Sequence, residues 1–111
     1  MLLAFSDGCC PRIDWYEYGI KQQGSFIIQA EKVNGNCYYV LEGVMFTRGI
    51  WMCEDSWWVG ELSDKGQCKG LFHALTISNP NISVQDYTLH WKDVRYGNDV
   101  DLKFDCVDVS L

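Results

Sequence analysis

Six cysteines, Cys9, Cys10, Cys37, Cys53, Cys68 and Cys106, offer the richest chemistry in this chain of 111 residues. A thiol can attack an electrophile, hold a metal or close a disulfide, and each use asks for a different spacing. A metal site asks for clustered ligands, and the sequence has no Cys-x-x-Cys and no His-x-x-x-His pair. An even number of cysteines at this density, well above that of a typical cytosolic chain, reads instead as three disulfides. Asn81-Ile82-Ser83 fits the N-glycosylation acceptor pattern, which has meaning only in a secreted chain. Both signals point to the extracellular side.

Lys65-Gly66-Gln67-Cys68, followed by Phe72-His73-Ala74, superficially resembles the cysteine-bearing stretch of papain-like proteases. The nucleophile in that pattern lies three residues after its first cysteine, and Leu71 stands there, so no thiolate can form. Glu54 and Asp55 are adjacent, and neighbours on an extended strand point to opposite sides, which makes a poor acid pair. Asp99, Asp101 and Asp105 share a strand face, but residues two apart are separated by roughly 6.6 Å, too far to share one calcium without loop ligands. A solvated face is expected there. No catalytic residue, no metal site and no cofactor is assigned, and the chain is not expected to be an enzyme.

The aromatic residues leave more room for function. Of the five tryptophans, Trp15, Trp51, Trp57, Trp58 and Trp91, the adjacent Trp57 and Trp58 cannot both face one core if their segment is extended. One of them is expected outside, where an indole can stack on a sugar ring or anchor a protein. Trp57 or Trp58 with Tyr16, Tyr18 and Tyr38 is the candidate binding platform, and the expected partner is a protein or a glycan. The net charge of −6 would repel a phosphate backbone, so nucleic acid is not expected. No apolar run approaches the roughly 18 residues that span a bilayer.

The elements that position these groups follow from turn chemistry and alternation. Asp7-Gly8, Asn34-Gly35, Glu42-Gly43, Asp64-Lys65-Gly66, Asn79-Pro80-Asn81 and Gly97-Asn98-Asp99 divide the chain into pieces too short for most helices. Within the pieces, apolar and polar residues alternate with period two. Val100, Leu102, Phe104 and Cys106 are expected inside, opposite Asp99, Asp101, Lys103 and Asp105. About nine strands are predicted, over 13–18, 26–31, 37–41, 44–47, 49–53, 57–59, 71–77, 87–92 and 99–106. On 71–77, His73 shares a side with Leu71, Leu75 and Ile77, so a hydrogen-bonded core or edge histidine is expected. His90 falls on a polar face. Asn34-Gly35 predicts a type I′ turn that pairs the second strand with the third. The fold class is all-β, a small antiparallel sandwich or barrel stapled by disulfides, with less than a tenth of the chain helical. Residues 1–8 are expected to be an extension or a signal remnant, and 9–111 a single β domain.

Cys10-Pro11-Arg12-Ile13, Glu31-Lys32-Val33-Asn34-Gly35 leading to Tyr38-Tyr39, Ile50-Trp51, Trp57-Trp58-Val59-Gly60, Gly66, Gly70, Trp91 and Cys106 follow one another in an order that spans nearly the whole chain. That order resembles the small Cys-Pro-to-Cys, Trp-rich β modules of secreted and cell-surface multidomain proteins of invertebrate animals. The resemblance implies an extracellular module tied end to end by a bridge between its first and last cysteines, with no agreed activity. On it, and because Cys106 shares the inward face of the last strand, Cys10 is expected to pair with Cys106. Cys53 and Cys68 then pair across the Trp57-Trp58 hairpin, leaving Cys9 for Cys37, one of the 15 connectivities that six cysteines permit. The expected function is a non-enzymatic extracellular binding or structural module. A lectin-like domain using exposed Trp and Tyr is the alternative.

Overall fold

The computed structural model describes residues 9–76, 84 and 89–107. Ten strands form one antiparallel sheet: β1 Arg12–Glu17, β2 Ile20–Lys21, β3 Ser25–Ile28, β4 Tyr39–Glu42, β5 Gly49–Cys53, β6 Ser56–Gly60, β7 Phe72–Leu75, β8 Trp91–Asp93, β9 Asp99–Val100 and β10 Leu102–Val107. A single 3₁₀ turn, Leu62–Asp64, is the helical structure among the described residues. The strand order is β10-β1-β3-β4-β5-β6-β7-β8-β9, with β2 paired to β1. β9 and β10 are separated only by Asp101, so the two ends of that order are consecutive in the chain. The sheet therefore curls into a half-barrel. Trp91 of β8 reaches Phe104 of β10, with ring centroids 5.1 Å apart, across the hollow of the curl.

Alternation explains which side chains fill that hollow. On β1, Ile13 and Trp15 point inward and are buried, and on β10 Leu102 and Phe104 do the same. Phe26 of β3 meets Trp15 and Phe104 edge-on at 5.7 and 6.0 Å, the arrangement that aromatic quadrupoles favour. Cys10, Tyr39, Leu41, Ile50, Met52, Trp57, Val59, Phe72, Ala74 and Val84 complete the main core. β5 and β6 are buried on both faces. Their outward residues belong to a second, smaller cluster of Val33, Tyr38 and Trp51, with Trp58 and Leu62 packed against it.

The Asn34-Gly35 turn forms as expected. Both residues have positive φ, 53° and 79°, and Val33 and Asn36 exchange backbone hydrogen bonds of 3.0 and 3.1 Å. β3 pairs with β4 beneath it. A second hairpin, inside what the alternation marks as the end of a strand, turns through Tyr18-Gly19 with φ of 51° and 79° and joins β1 to β2.

The structure corrects three expectations. Residues 44–47 are not a strand; Gly43, at φ 90°, turns the chain outward, and Met45 and Phe46 are exposed. On β7 the core side is that of Phe72 and Ala74, so His73 lies on the opposite face. Cys106 follows the inward alternation of β10 yet lies beyond the core and is exposed.

Three disulfides join Cys9 to Cys37, Cys10 to Cys106 and Cys53 to Cys68, with Cα separations of 5.9, 5.8 and 5.2 Å. These are the expected pairs. Three bridges in a domain of this size suit an oxidising, extracellular setting. Among the described residues, no helix is long and apolar enough to cross a membrane. The acceptor Asn81 and the extension 1–8 lie outside the described residues.

Candidate functional site

The fold separates the five aromatic residues of the expected platform. Trp57 is 3% exposed and belongs to the main core, where its register partners are Met52 and Ala74. Tyr38 is buried in the second cluster, its ring 5.4 Å from the Lys65 ammonium. Trp58 is half-buried on the outer face and stacks on His73, with centroids 4.7 Å apart and planes 16° from parallel. Tyr16 is half-buried on β1, opposite Lys103 on one side and Lys21 on the other. Tyr18 alone is well exposed, at 60%. The five residues form no common surface; Trp57 and Tyr38 are closed off by their packing.

Tyr18 instead borders an open groove of about 420 Å³ whose other walls are Leu89, His90, Trp91 and the run from Asp99 to Lys103. The groove sits where β9 passes into β10. The Tyr18 backbone N–H donates to the Asp101 carbonyl at 2.8 Å, which fixes the hairpin turn against that junction. Trp91, packed into the main core, supplies part of the floor. Asp99 and Asp101 stand in the wall, each beside an ammonium: Lys92 Nζ lies 2.9 Å from Asp99, and Lys103 Nζ 3.5 Å from Asp101. The hydrogen bond and charge of Lys92 hold the Asp99 carboxyl below its ordinary value. The lining therefore mixes two carboxylates, the Lys103 ammonium group, an imidazole and one open aromatic face.

Tyr18 occupies the left-handed region, which a bulky residue adopts only at a cost of order 1 kcal/mol or more. Asparagine would sit there more easily, as it does at position 34. From their alternation, Asp99 and Asp101 are expected on a solvated face and His90 among polar residues; neither signal joins them to Tyr18. The sign of a special position at 18–19 is an aromatic residue directly before a glycine between two alternating runs.

Two other places invite chemistry. Cys53, Glu54 and Cys68 lie close enough to suggest metal ligands, but the two sulfurs are bonded to each other and offer no thiolate. The Glu54 carboxylate approaches Cys68 Sγ at 3.2 Å, and a disulfide sulfur has no proton to donate. His73 is the other. Its Nδ1 and the Trp58 Nε1 are both buried without a hydrogen-bond partner, so the histidine is not the hydrogen-bonded one expected.

Burial first, and the Lys92 ammonium across the strand pair second, push the His73 pKa below its ordinary value. The folded state thus resists a proton that the unfolded chain accepts. Stability is expected to fall as pH drops below about 6.5 and to go on falling through the folded-state pKa. His73→Phe keeps the stack on Trp58 and removes the proton site. Its thermal midpoint should lose less than that of the parent chain between pH 7 and pH 5; identical losses would exclude His73 as the cause.

Comparison of the chain with protein-family profiles, with curated proteins and with solved structures finds no match.

Proposed function

We propose that this chain is a non-enzymatic extracellular module that binds a protein or glycan partner through the groove beside Tyr18. The observation that carries this reading is a strained, exposed aromatic residue fixed by a backbone hydrogen bond to the rim of an open, polar-lined groove. Strained residues gather at binding and catalytic sites, because a turn with no duty there would relax by substitution. The three disulfides and the resemblance to Cys-Pro-to-Cys β modules support the extracellular setting. The acidic balance supports a partner other than nucleic acid.

The test uses the chain secreted from eukaryotic cells and displayed as a fluorescent tetramer on decellularised extracellular matrix. Saturable staining is expected, together with no thiol reactive toward a maleimide probe in the native protein. Free thiols in the secreted chain would overturn the extracellular reading, and absence of saturable staining would overturn the binding one.

A further inference from the structure

We propose that the groove beside Tyr18 is a saccharide site that takes a neutral, polyhydroxylated ligand. The inference rests on the binding-module reading and names the chemistry of the same site. The lining disfavours charged ligands. A divalent cation would need several carboxylate or imidazole atoms drawn together. Among the described residues, the one such group is Cys53, Glu54 and Cys68, which does not line the groove. An organic cation would seek carboxylates short of countercharge, but Asp99 and Asp101 each already have an ammonium group beside them. An anion would approach a protein of net charge −6.

A neutral polyol suits what remains. The carboxylates of Asp99 and Asp101 accept hydrogen bonds from hydroxyl groups, while the Lys103 ammonium and the His90 ring can donate to them. The phenol of Tyr18 offers an exposed ring, and the C–H face of a pyranose packs on such a ring with little entropic loss. The volume of about 420 Å³ lies in the range of small-ligand sites. The wall is set on the junction of β9 and β10, which is tied to the Tyr18 turn by the bond from its N–H to the Asp101 carbonyl. Ring and acceptors are thereby positioned before the ligand arrives.

The chain itself supplies the decisive variant. Asn34-Gly35 turns with φ of 53° and 79°, and Tyr18-Gly19 with 51° and 79°. Tyr18→Asn should therefore reproduce a turn this protein already makes, while deleting the stacking ring. The probe is an array of neutral hexose and N-acetylhexosamine oligosaccharides, followed by titration of the best binder, read by calorimetry. We expect saturable binding that Tyr18→Asn weakens by at least about tenfold while its thermal midpoint stays level or rises. Asp101→Asn should weaken it as well. Trp58→Phe, outside the groove lining, should not.

Binding that survives Tyr18→Asn, or that Trp58→Phe removes, would overturn the assignment of the site. No saturable binding by any neutral saccharide up to millimolar concentration would overturn the ligand class. In that case, matrix staining lost on Tyr18→Asn leaves the binding module standing with a protein partner, whereas absence of staining removes the module reading too.

Discussion

The double substitution Cys10→Ala with Cys106→Ala is expected to lower the free energy of unfolding by about 4.7 kcal/mol, the value of the chain-entropy relation for a loop near 100 residues. The bridge spans a sequence separation of 96, against 15 for Cys53–Cys68, whose removal should cost about 3 kcal/mol on the same relation. Domains of this kind have only about 5–15 kcal/mol in total, so the longer bridge accounts for a large share of the whole. Cys10 is also buried in the main core, and its truncation there adds lost packing to the lost constraint. Urea denaturation under non-reducing conditions checks the order: the Cys10/Cys106 variant should unfold at a lower midpoint than the Cys53/Cys68 variant. The reverse order would show that loop length does not govern these staples.

Trp51→Ala is the second change expected to bring the fold close to collapse. Its side chain is fully buried in the smaller cluster, and its Nε1 donates to the Gln67 carbonyl at 2.8 Å. It thus ties the sheet to the loop that carries Cys68. Truncation of a buried tryptophan costs about 3–5 kcal/mol. Trp58→Phe makes an informative contrast, because the Trp58 indole N–H is buried without a partner, and deleting an unsatisfied donor relieves a desolvation penalty. Trp58→Phe should shift the urea midpoint little or raise it. If Trp51→Ala were equally mild, the outer cluster would not be a structural core.

Alternation makes the ends of the sheet readable. Leu102 and Phe104 are expected inside and are inside, because β10 has one wet and one dry face. It fails on β7, where Leu71 and Leu75 on one side look as apolar as Phe72 and Ala74 on the other. Beneath β5 and β6 the sheet is covered on both faces, and a pattern of period two then carries no sign of which side is the core. The same double cover explains why neither Trp57 nor Trp58 stands fully in solvent. The resemblance and the strand face point only to the Cys10–Cys106 pair; Cys53–Cys68 follows from the hairpin between them and Cys9–Cys37 from what is left, since the cysteine spacing by itself leaves every connectivity open. The groove is hidden for a different reason. Tyr18 and the run from Asp99 to Lys103 are distant in sequence, and the pairing of β1 with β10, continued by the hydrogen bond at Asp101, brings them together.

The antiparallel pairing of β1 with β10 places the first and last described strands side by side, with Cys10 bonded to Cys106 at that seam. A mechanical load applied to the chain on either side of the seam is carried by the covalent bridge and bypasses the hydrogen bonds of the sheet. The stretch held between the two cysteines, which could extend by roughly 300 Å if freed, contributes no length under tension. Within a longer chain, the domain would behave as a short inextensible link, and thiol reduction would convert it into a slack reserve.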